Sequence, residues 1–173
     1  MNGFGVHRGC GRPTLRVAVR IVAVLAMLGG ADAHALDCLV SATGVAFGVY
    51  DAALPTPTDS VGNLTVRCVH QGGGATRASY TVALSTGASG TYAQRQMRSG
   101  TSTLSYNLFD SATHARMWGD GTAGSALLSG SLLVNRGNFA TNEAVHPIYG
   151  RIPAQQSAES GAYSDQILVT LTF

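Results

Sequence analysis

The chain has 173 residues, of which only 12% are charged, and its formal net charge is +2. It contains no lysine and no run of basic residues, so neither nucleic acid nor an anionic membrane surface is an expected partner. The 22 glycines and the scarcity of helix-forming residues favour strands and turns over helices.

The first 35 residues have the pattern of a secretory signal peptide. Four arginines between residues 8 and 20 form a basic region, an apolar run ends at Leu28, and the small-x-small sequence Ala33–Ala35 offers a cleavage site. A membrane anchor is the alternative, but the uninterrupted apolar run Ile21–Leu28 is far shorter than a spanning helix of about 20 residues. Cleavage after Ala35 leaves one domain at residues 36–173, with a net charge of −1 and no membrane span.

Two cysteines remain after this cleavage, Cys38 and Cys68. An even pair in an exported chain most often forms a disulfide. A metal site would need more ligands at close spacing, and a lipoprotein anchor would need a small residue where Asp37 precedes Cys38. The sequence therefore predicts a disulfide between Cys38 and Cys68.

Alternation of apolar and polar residues with a period of two predicts a series of short strands. The second strand is the clearest, because Leu64, Val66 and Cys68 alternate with polar residues. This phase turns Cys68 inward, where a bond to Cys38 would join the first two strands. Strands are predicted at residues 38–50 (with an irregularity at Gly44), 61–69, 80–85, 104–109, 126–134, 145–152 and 163–173.

The stretches between these strands contain turn-forming residues. Residues 51–60 carry two prolines and are interpreted as a loop. Residues 86–100, rich in Gly, Ser and Thr, carry Arg95 and Arg98 and are interpreted as a solvated connection. Trp118 is interpreted as an anchor that packs in the core or at a sheet edge, rather than as a surface on which a ligand stacks. Short strands without helical periodicity predict an all-β, immunoglobulin-like antiparallel β-sandwich.

The terminal stretch 163–173 is rich in branched and aromatic residues, and Ile167, Val169, Leu171 and Phe173 share one of its faces. A strand of this composition is expected to lie inside a sheet. It is either an ordinary central or edge strand, or a strand with one edge left for another polypeptide to fill.

No catalytic constellation is visible in the sequence. His70, His114 and His146 are isolated and are interpreted as solvated residues of loops or strand ends, while turn formation accounts for Asp110 and Asp120. No Gly-x-Ser-x-Gly sequence and no metal-ligand spacing is present. The chain is therefore expected to have no catalytic, cofactor-binding or metal site and not to be an enzyme.

Four sequence segments of the secreted part of the chain are informative as a set: Val40–Asp51, Trp118–Thr122, Tyr149–Pro153 and Tyr163–Asp165 with Thr170–Phe173. In this order they resemble the spore coat protein U family, which includes the pilins of archaic chaperone–usher fimbriae. The resemblance covers essentially all of residues 38–173. It implies a secreted Gram-negative subunit whose sandwich is incomplete and lacks its last strand, and which is completed by donor-strand complementation.

The resemblance also implies partners and a binding groove. The partners are a periplasmic pilus chaperone, an outer-membrane usher and a neighbouring pilin subunit that supplies the donor strand. The subunit would reach the cell surface through the periplasm. Six residues are candidates for the walls of the donor-strand groove: Val45, Phe47, Ile167, Val169, Leu171 and Phe173.

One departure from the family bears on the role of the chain. Polymerising members carry an alternating apolar donor segment before the first cysteine, whereas cleavage after Ala35 leaves only Leu36 and Asp37 there. The chain is therefore expected to accept a strand without giving one, as a tip or initiating subunit in adhesion and biofilm formation. The alternative is a stand-alone secreted spore-coat or binding domain that does not polymerise.

Overall fold

The computed structural model describes residues 36–71, 74–135 and 140–173. The proposed signal peptide, residues 1–35, lies outside the described residues. The strands are β1 (Leu36–Thr43), β2 (Thr58–His70), β3 (Thr76–Leu84), β4 (Arg95–Ser99), β5 (Ser102–Phe109), β6 (Leu128–Val134), β7 (Ala140–Ile152) and β8 (Val169–Thr172), with a 3-10 turn at Gly87–Ser89. No helix in the described part of the chain is long and apolar enough to cross a membrane.

The strands form two sheets that pack face to face. One sheet has the order β1-β2-β7-β5-β4 and the other the order β6-β3-β8. All neighbouring strands are antiparallel, so the predicted all-β, immunoglobulin-like sandwich is confirmed. The core lies between the sheets and includes Leu64 and Val66 of β2 and Val82 of β3, which have no exposed surface. Burying each such side chain contributes roughly 1.5–3 kcal/mol.

A disulfide joins the first two strands, as the sequence predicts. Cys38 of β1 and Cys68 of β2 are directly opposite each other in the ladder and are bonded through their sulfur atoms. Both are buried. The bond closes a loop with a sequence separation of 30 residues and fixes the register of an edge strand.

The interpretation of residues 86–100 as a solvated connection is wrong. This segment contains the 3-10 turn and β4, and its Arg95 is fully buried while Arg98 is exposed. The Arg95 guanidinium donates to the Ser85 carbonyl oxygen, to Asn107 Oδ1 and to the Trp118 carbonyl oxygen. Burial is tolerated because three acceptors from separate segments satisfy the charged group.

Trp118 is a core residue, in agreement with its interpretation as an anchor. Its side chain has no exposed surface, and its Nε1 donates to the Val82 carbonyl oxygen at 3.0 Å. Its own backbone nitrogen donates to the Leu108 carbonyl oxygen at 2.9 Å. Trp118 therefore ties the loop after β5 to both sheets, through its indole to β3 and through its backbone to β5.

The interpretation of the histidines as solvated is wrong. The His114 side chain is only 10% exposed, and its ring packs at a steep angle against the rings of Phe109 and Tyr149. His70 ends β2 and is only 4% exposed. His146 lies within β7, and its Nε2 is 2.7 Å from the hydroxyl oxygen of Tyr80 in the facing sheet. The two rings pack edge to face with centroids 5.8 Å apart. All three histidines are therefore packed against the domain rather than solvated.

We expect the partial burial of His146 to make folding stability depend on pH. Burial lowers the pKa of His146 from its ordinary value of 6.5, so the unfolded chain binds the proton more readily. The contribution of His146 to the free energy of unfolding is fully present above about pH 6.5. It is lost as the pH falls towards the lowered pKa of His146 in the folded state. Thermal unfolding between pH 7.5 and 5 should show a smaller decline for His146→Gln than for the wild type. Equal declines would contradict this assignment.

Candidate functional site: an open groove beside the terminal strand

The terminal strand β8 is paired on one side only. Its partner is β3, with Val82 opposite Leu171 and Leu84 opposite Val169. Because the Ser85 nitrogen donates to the Leu168 carbonyl oxygen, and backbone groups alternate in direction along an antiparallel strand, the N–H and C=O groups of Val169 and Leu171 point away from β3. Among the described residues no strand pairs with them, so β8 presents an open edge.

The ladder of β8 is shorter than the predicted strand 163–173. Ser164 instead exchanges two backbone hydrogen bonds with Arg98 at the edge of the five-stranded sheet, at 2.9 and 3.1 Å. The chain then crosses to the other sheet and reaches β3 at Val169. This crossing interrupts the strand and forms one wall of the groove.

The opposite wall is the segment after β1. The sequence predicts a strand up to residue 50, but β1 ends at Thr43 because the chain passes over the inner side of the sheet. A Cβ atom on Gly62 would lie 2.7 Å from the Thr43 carbonyl oxygen, and one on Gly150 would lie 2.6 Å from Val45 Cγ1 and 2.7 Å from Phe47 Cζ. Two glycines therefore make room for the crossing segment.

We expect Gly150→Val to displace this wall. Overpacking of this kind costs about 1–3 kcal/mol, because Val45 and Phe47 would have to leave their positions over β7. Gly44→Ala is the matched control, since a Cβ atom at Gly44 meets nothing within 4 Å. Chemical denaturation should show a loss of stability for Gly150→Val and little change for Gly44→Ala. A neutral Gly150→Val variant would contradict the observed crossing.

Two adjacent cavities lie between the walls, with volumes of about 780 and 410 Å³. The floor of the smaller cavity comes from both sheets and is apolar. It is formed by Leu84, Tyr106, Leu108 and Ile148. These residues belong to the core cluster and are at most 5% exposed, so the groove ends on the sandwich interior.

The structure brings together four of the six predicted groove residues. Val45, Phe47, Ile167 and Val169 all line the smaller cavity. Leu171 is half-buried against the core but lines neither of the two cavities, and Phe173 is 53% exposed.

Sequence reasoning missed the residues of the floor and several residues of the walls, among them Met97 and Tyr163. Tyr163 is in phase with Ile167 and Val169, so the alternation could have identified it. Met97 could not be found in this way, because it lies in the segment interpreted as solvated.

Asp165 holds the wall of the groove in place. Its carboxylate accepts hydrogen bonds from the Tyr106 hydroxyl at 2.8 Å, the Ala88 nitrogen at 3.0 Å and the Gln166 nitrogen at 2.8 Å. Burial, together with the bond to Asp165, raises the pKa of Tyr106, so its hydroxyl remains a donor at physiological pH. The segment before β8 is thereby attached to β5 and to the 3-10 turn.

The groove is lined by carboxylates rather than by cations. Asp51 and Glu159 line the larger cavity and Asp165 the smaller one, and neither lining includes Lys, Arg or His. Within residues 36–71, 74–135 and 140–173, no group of three His, Cys, Asp or Glu side chains could hold a metal ion. An apolar floor beside an unpaired strand edge is the arrangement that accommodates an extended polypeptide.

Comparisons with known proteins agree with this architecture. The sequence profile of the Spore Coat Protein U domain matches residues 25–170. Among solved structures, a chain of the CsuC–CsuE chaperone–tip adhesion subunit pre-assembly complex from the archaic chaperone–usher Csu pili of Acinetobacter baumannii is similar, with a TM-score of 0.51 and 24% sequence identity. The alignment covers 80% of this chain and 40% of that one, and the likeness is one of fold. A search of curated proteins found no match.

Proposed function

Because the chain belongs to the Spore Coat Protein U domain family, we propose that it is a secreted structural subunit of a chaperone–usher fimbria or surface coat. The family is structural, and the chain is not an enzyme. In this proposal the groove receives a donor strand from a periplasmic chaperone and later from a neighbouring subunit. The subunit passes an outer-membrane usher on its way to the cell surface.

The open edge of β8 above an apolar floor is the observation that carries this proposal. Val169 and Leu171 direct their backbone groups towards the groove, and Leu108 and Ile148 lie in its floor. Such an edge is prone to pair with other chains. A donated strand satisfies the backbone groups and fills the floor with alternate side chains.

We further propose a tip or initiating role in adhesion and biofilm formation. With cleavage after Ala35, only Leu36 and Asp37 precede Cys38, and these two residues pair with His70 and Val69 of β2. They are therefore engaged within the domain and are not free to fill the groove of another subunit. This supports a subunit that accepts a strand without donating one.

The test mixes the chaperone-bound subunit with a synthetic donor peptide from a companion pilin, and separately with more of itself. We expect the peptide to release the chaperone and the subunit alone not to polymerise. Val169→Asp should abolish peptide uptake, because it places a charge in the groove. Leu168→Asp is the matched control, since Leu168 is the preceding residue and is 69% exposed.

Two results would overturn parts of the proposal. Homopolymers would reveal a donor segment in this chain and exclude the tip role. A stable monomer without chaperone or peptide would exclude the open groove, and a stand-alone secreted spore-coat or binding domain would then be the better account.

A further inference from the structure

We propose that the open edge of β1 pairs with the same edge of a second copy of this chain, in an antiparallel dimer whose two-fold axis passes beside Leu39. The two five-stranded sheets then become one continuous sheet. This inference goes beyond the proposed function and does not depend on it. The β1 edge belongs to the five-stranded sheet, whereas the open edge of β8 belongs to the other sheet.

The backbone groups of Cys38 point away from β2. Its Cα atom lies 4.1 Å from that of Cys68, which is typical of the close residue pairs of an antiparallel ladder that exchange no backbone hydrogen bonds. Further along, the Asn63 nitrogen donates to Thr43 Oγ1 and the Asn63 carbonyl oxygen accepts from it, so this pair has the opposite phase. Because the direction of the backbone groups alternates along a strand, four residues direct them outward: Leu36, Cys38, Val40 and Ala42.

The β1 edge is the least protected of the sheet edges. At the β4 edge, Arg98 exchanges two backbone hydrogen bonds with Ser164. At the β6 edge, the Leu133 carbonyl oxygen accepts from Asn142 Nδ2 at 2.9 Å, and the β8 edge borders the groove. Among the described residues only β2 pairs with β1, and no hydrogen bond reaches its outward groups. The strand contains no proline and one charged residue, Asp37. An edge without such protection is a site for pairing with another chain.

The edge of β1 is complementary to itself. When Leu39 lies opposite Leu39 of the second copy, each outward residue meets an outward residue of the other strand, with Leu36 opposite Ala42 and Cys38 opposite Val40. Such pairs exchange both backbone hydrogen bonds. A register shifted by two residues leaves at least one outward residue of each copy unpaired, and a shift by one residue mismatches all of them. The two-fold arrangement satisfies the whole edge, which favours a second copy over an unrelated chain as the partner.

The side chains on the outer face of the sheet agree with this pairing. Leu39 is 62% exposed, and in the dimer it packs against its own symmetry mate. Asp37 lies opposite Ser41 of the second copy, so the like charges of the two strands do not meet. Arg67 is the neighbour of Leu39 on β2, and its exposed guanidinium lies on the side from which Asp37 of the second copy approaches. Opposite charges therefore face each other across the contact.

The test measures self-association of the subunit with donor peptide in its groove, or of the free domain if that is stable alone. Sedimentation at increasing concentrations should show a monomer–dimer equilibrium with a dissociation constant on the order of 10⁻⁴ M, because an edge-to-edge contact is smaller than a standard interface. No larger species is expected, since a two-fold contact is closed. Amide hydrogen exchange at Val40 and Ala42 should slow as the dimer forms.

Two variants and a matched control identify the contact. Leu39→Lys should weaken the dimer at least tenfold, because two like charges then meet at the axis. Val145→Lys is the control, since Val145 is 58% exposed on the same face but belongs to β7, two strands from the edge, and the dimer should persist. Val40→Pro removes an outward N–H group and no bond to β2, so it should also weaken the dimer at least tenfold. If Val40→Pro does not fold, Leu39→Lys decides the test.

Three results would overturn the inference: a subunit that is still monomeric tenfold above the expected dissociation constant, oligomers larger than the dimer, or equal weakening by Leu39→Lys and Val145→Lys. Each would leave the proposed function intact, because uptake of the donor peptide is measured separately. A dimer with these properties in a subunit that takes up no donor peptide would support the inference and overturn the proposed function.

Discussion

Replacing Arg95 with alanine is expected to lower the free energy of unfolding by about 3–4 kcal/mol. The guanidinium satisfies the carbonyl oxygens of Ser85 and Trp118 and the Oδ1 atom of Asn107, at distances of 2.7–3.0 Å. Each buried acceptor left without a partner costs about 1–3 kcal/mol. Part of this total cost is offset, because the variant no longer has to bury the Arg95 charge. Burial disfavours that charge and lowers the pKa of Arg95. The loss is large beside the 5–15 kcal/mol that is typical of a whole domain.

The matched control for this prediction is Arg98→Ala. Arg98 lies in the same strand but is exposed, and its one side-chain hydrogen bond, to the Ala88 carbonyl oxygen, is long at 3.5 Å. Its removal should change stability by no more than about 0.5 kcal/mol. Arg95→Lys should recover only part of the loss, because an ammonium group cannot span the three acceptors of a planar guanidinium. Unfolding in guanidinium chloride with the same donor peptide bound would measure all three variants, and equal effects of Arg95→Ala and Arg98→Ala would contradict the network.

Replacing both Cys38 and Cys68 with alanine is expected to destabilise the domain by roughly 3–4 kcal/mol. The bond closes a loop with a separation of 30 residues, and opening it restores conformational freedom to the unfolded chain. Thermal unfolding with and without a reductant would measure the effect. The reductant should destabilise the wild type and leave the double variant unchanged. Two reactive thiols in the folded wild-type protein would contradict the disulfide.

The sequence predicts most of the sheet framework, because its signals are local. The alternation around Leu64, Val66 and Cys68 gave the correct buried face of β2, and the predicted strand at residues 145–152 lies within β7. The pairing of Cys38 with Cys68 followed from the cysteine count. The two strands follow from the spacing of their own side chains, and the disulfide follows from export to an oxidising compartment. None of these predictions depends on contacts with residues far away in the sequence.

The buried position of β4 could not be predicted in the same way. Arg95 and Met97 alternate, but a charged residue in a Gly/Ser/Thr-rich segment has the pattern of a solvated loop. What buries Arg95 is its set of acceptors in Ser85, Asn107 and Trp118. Those residues come together only after folding, so no local pattern reveals them.

The groove residues also differ in whether their positions depend on their own spacing or on residues of other strands. The alternation of Val45, Phe47 and Val49 predicts a strand, yet Val49 is 93% exposed and pairs with no strand. The chain leaves the ladder because Gly62 and Gly150, on two other strands, let it cross the sheet. The inward phase of Ile167 and Val169 was predictable, because it depends on their own spacing alone.

The covalent link between β1 and β2 also determines how the sandwich responds to tension. A pull on the residues ahead of Cys38 is transmitted to β2 through a sulfur–sulfur bond, so it can peel away only Leu36 and Asp37. A pull on Phe173 meets only the non-covalent contacts of β8, whose ladder with β3 has four residue pairs. The domain is therefore mechanically asymmetric: its N-terminal strand bears load, and its C-terminal strand is the first to yield.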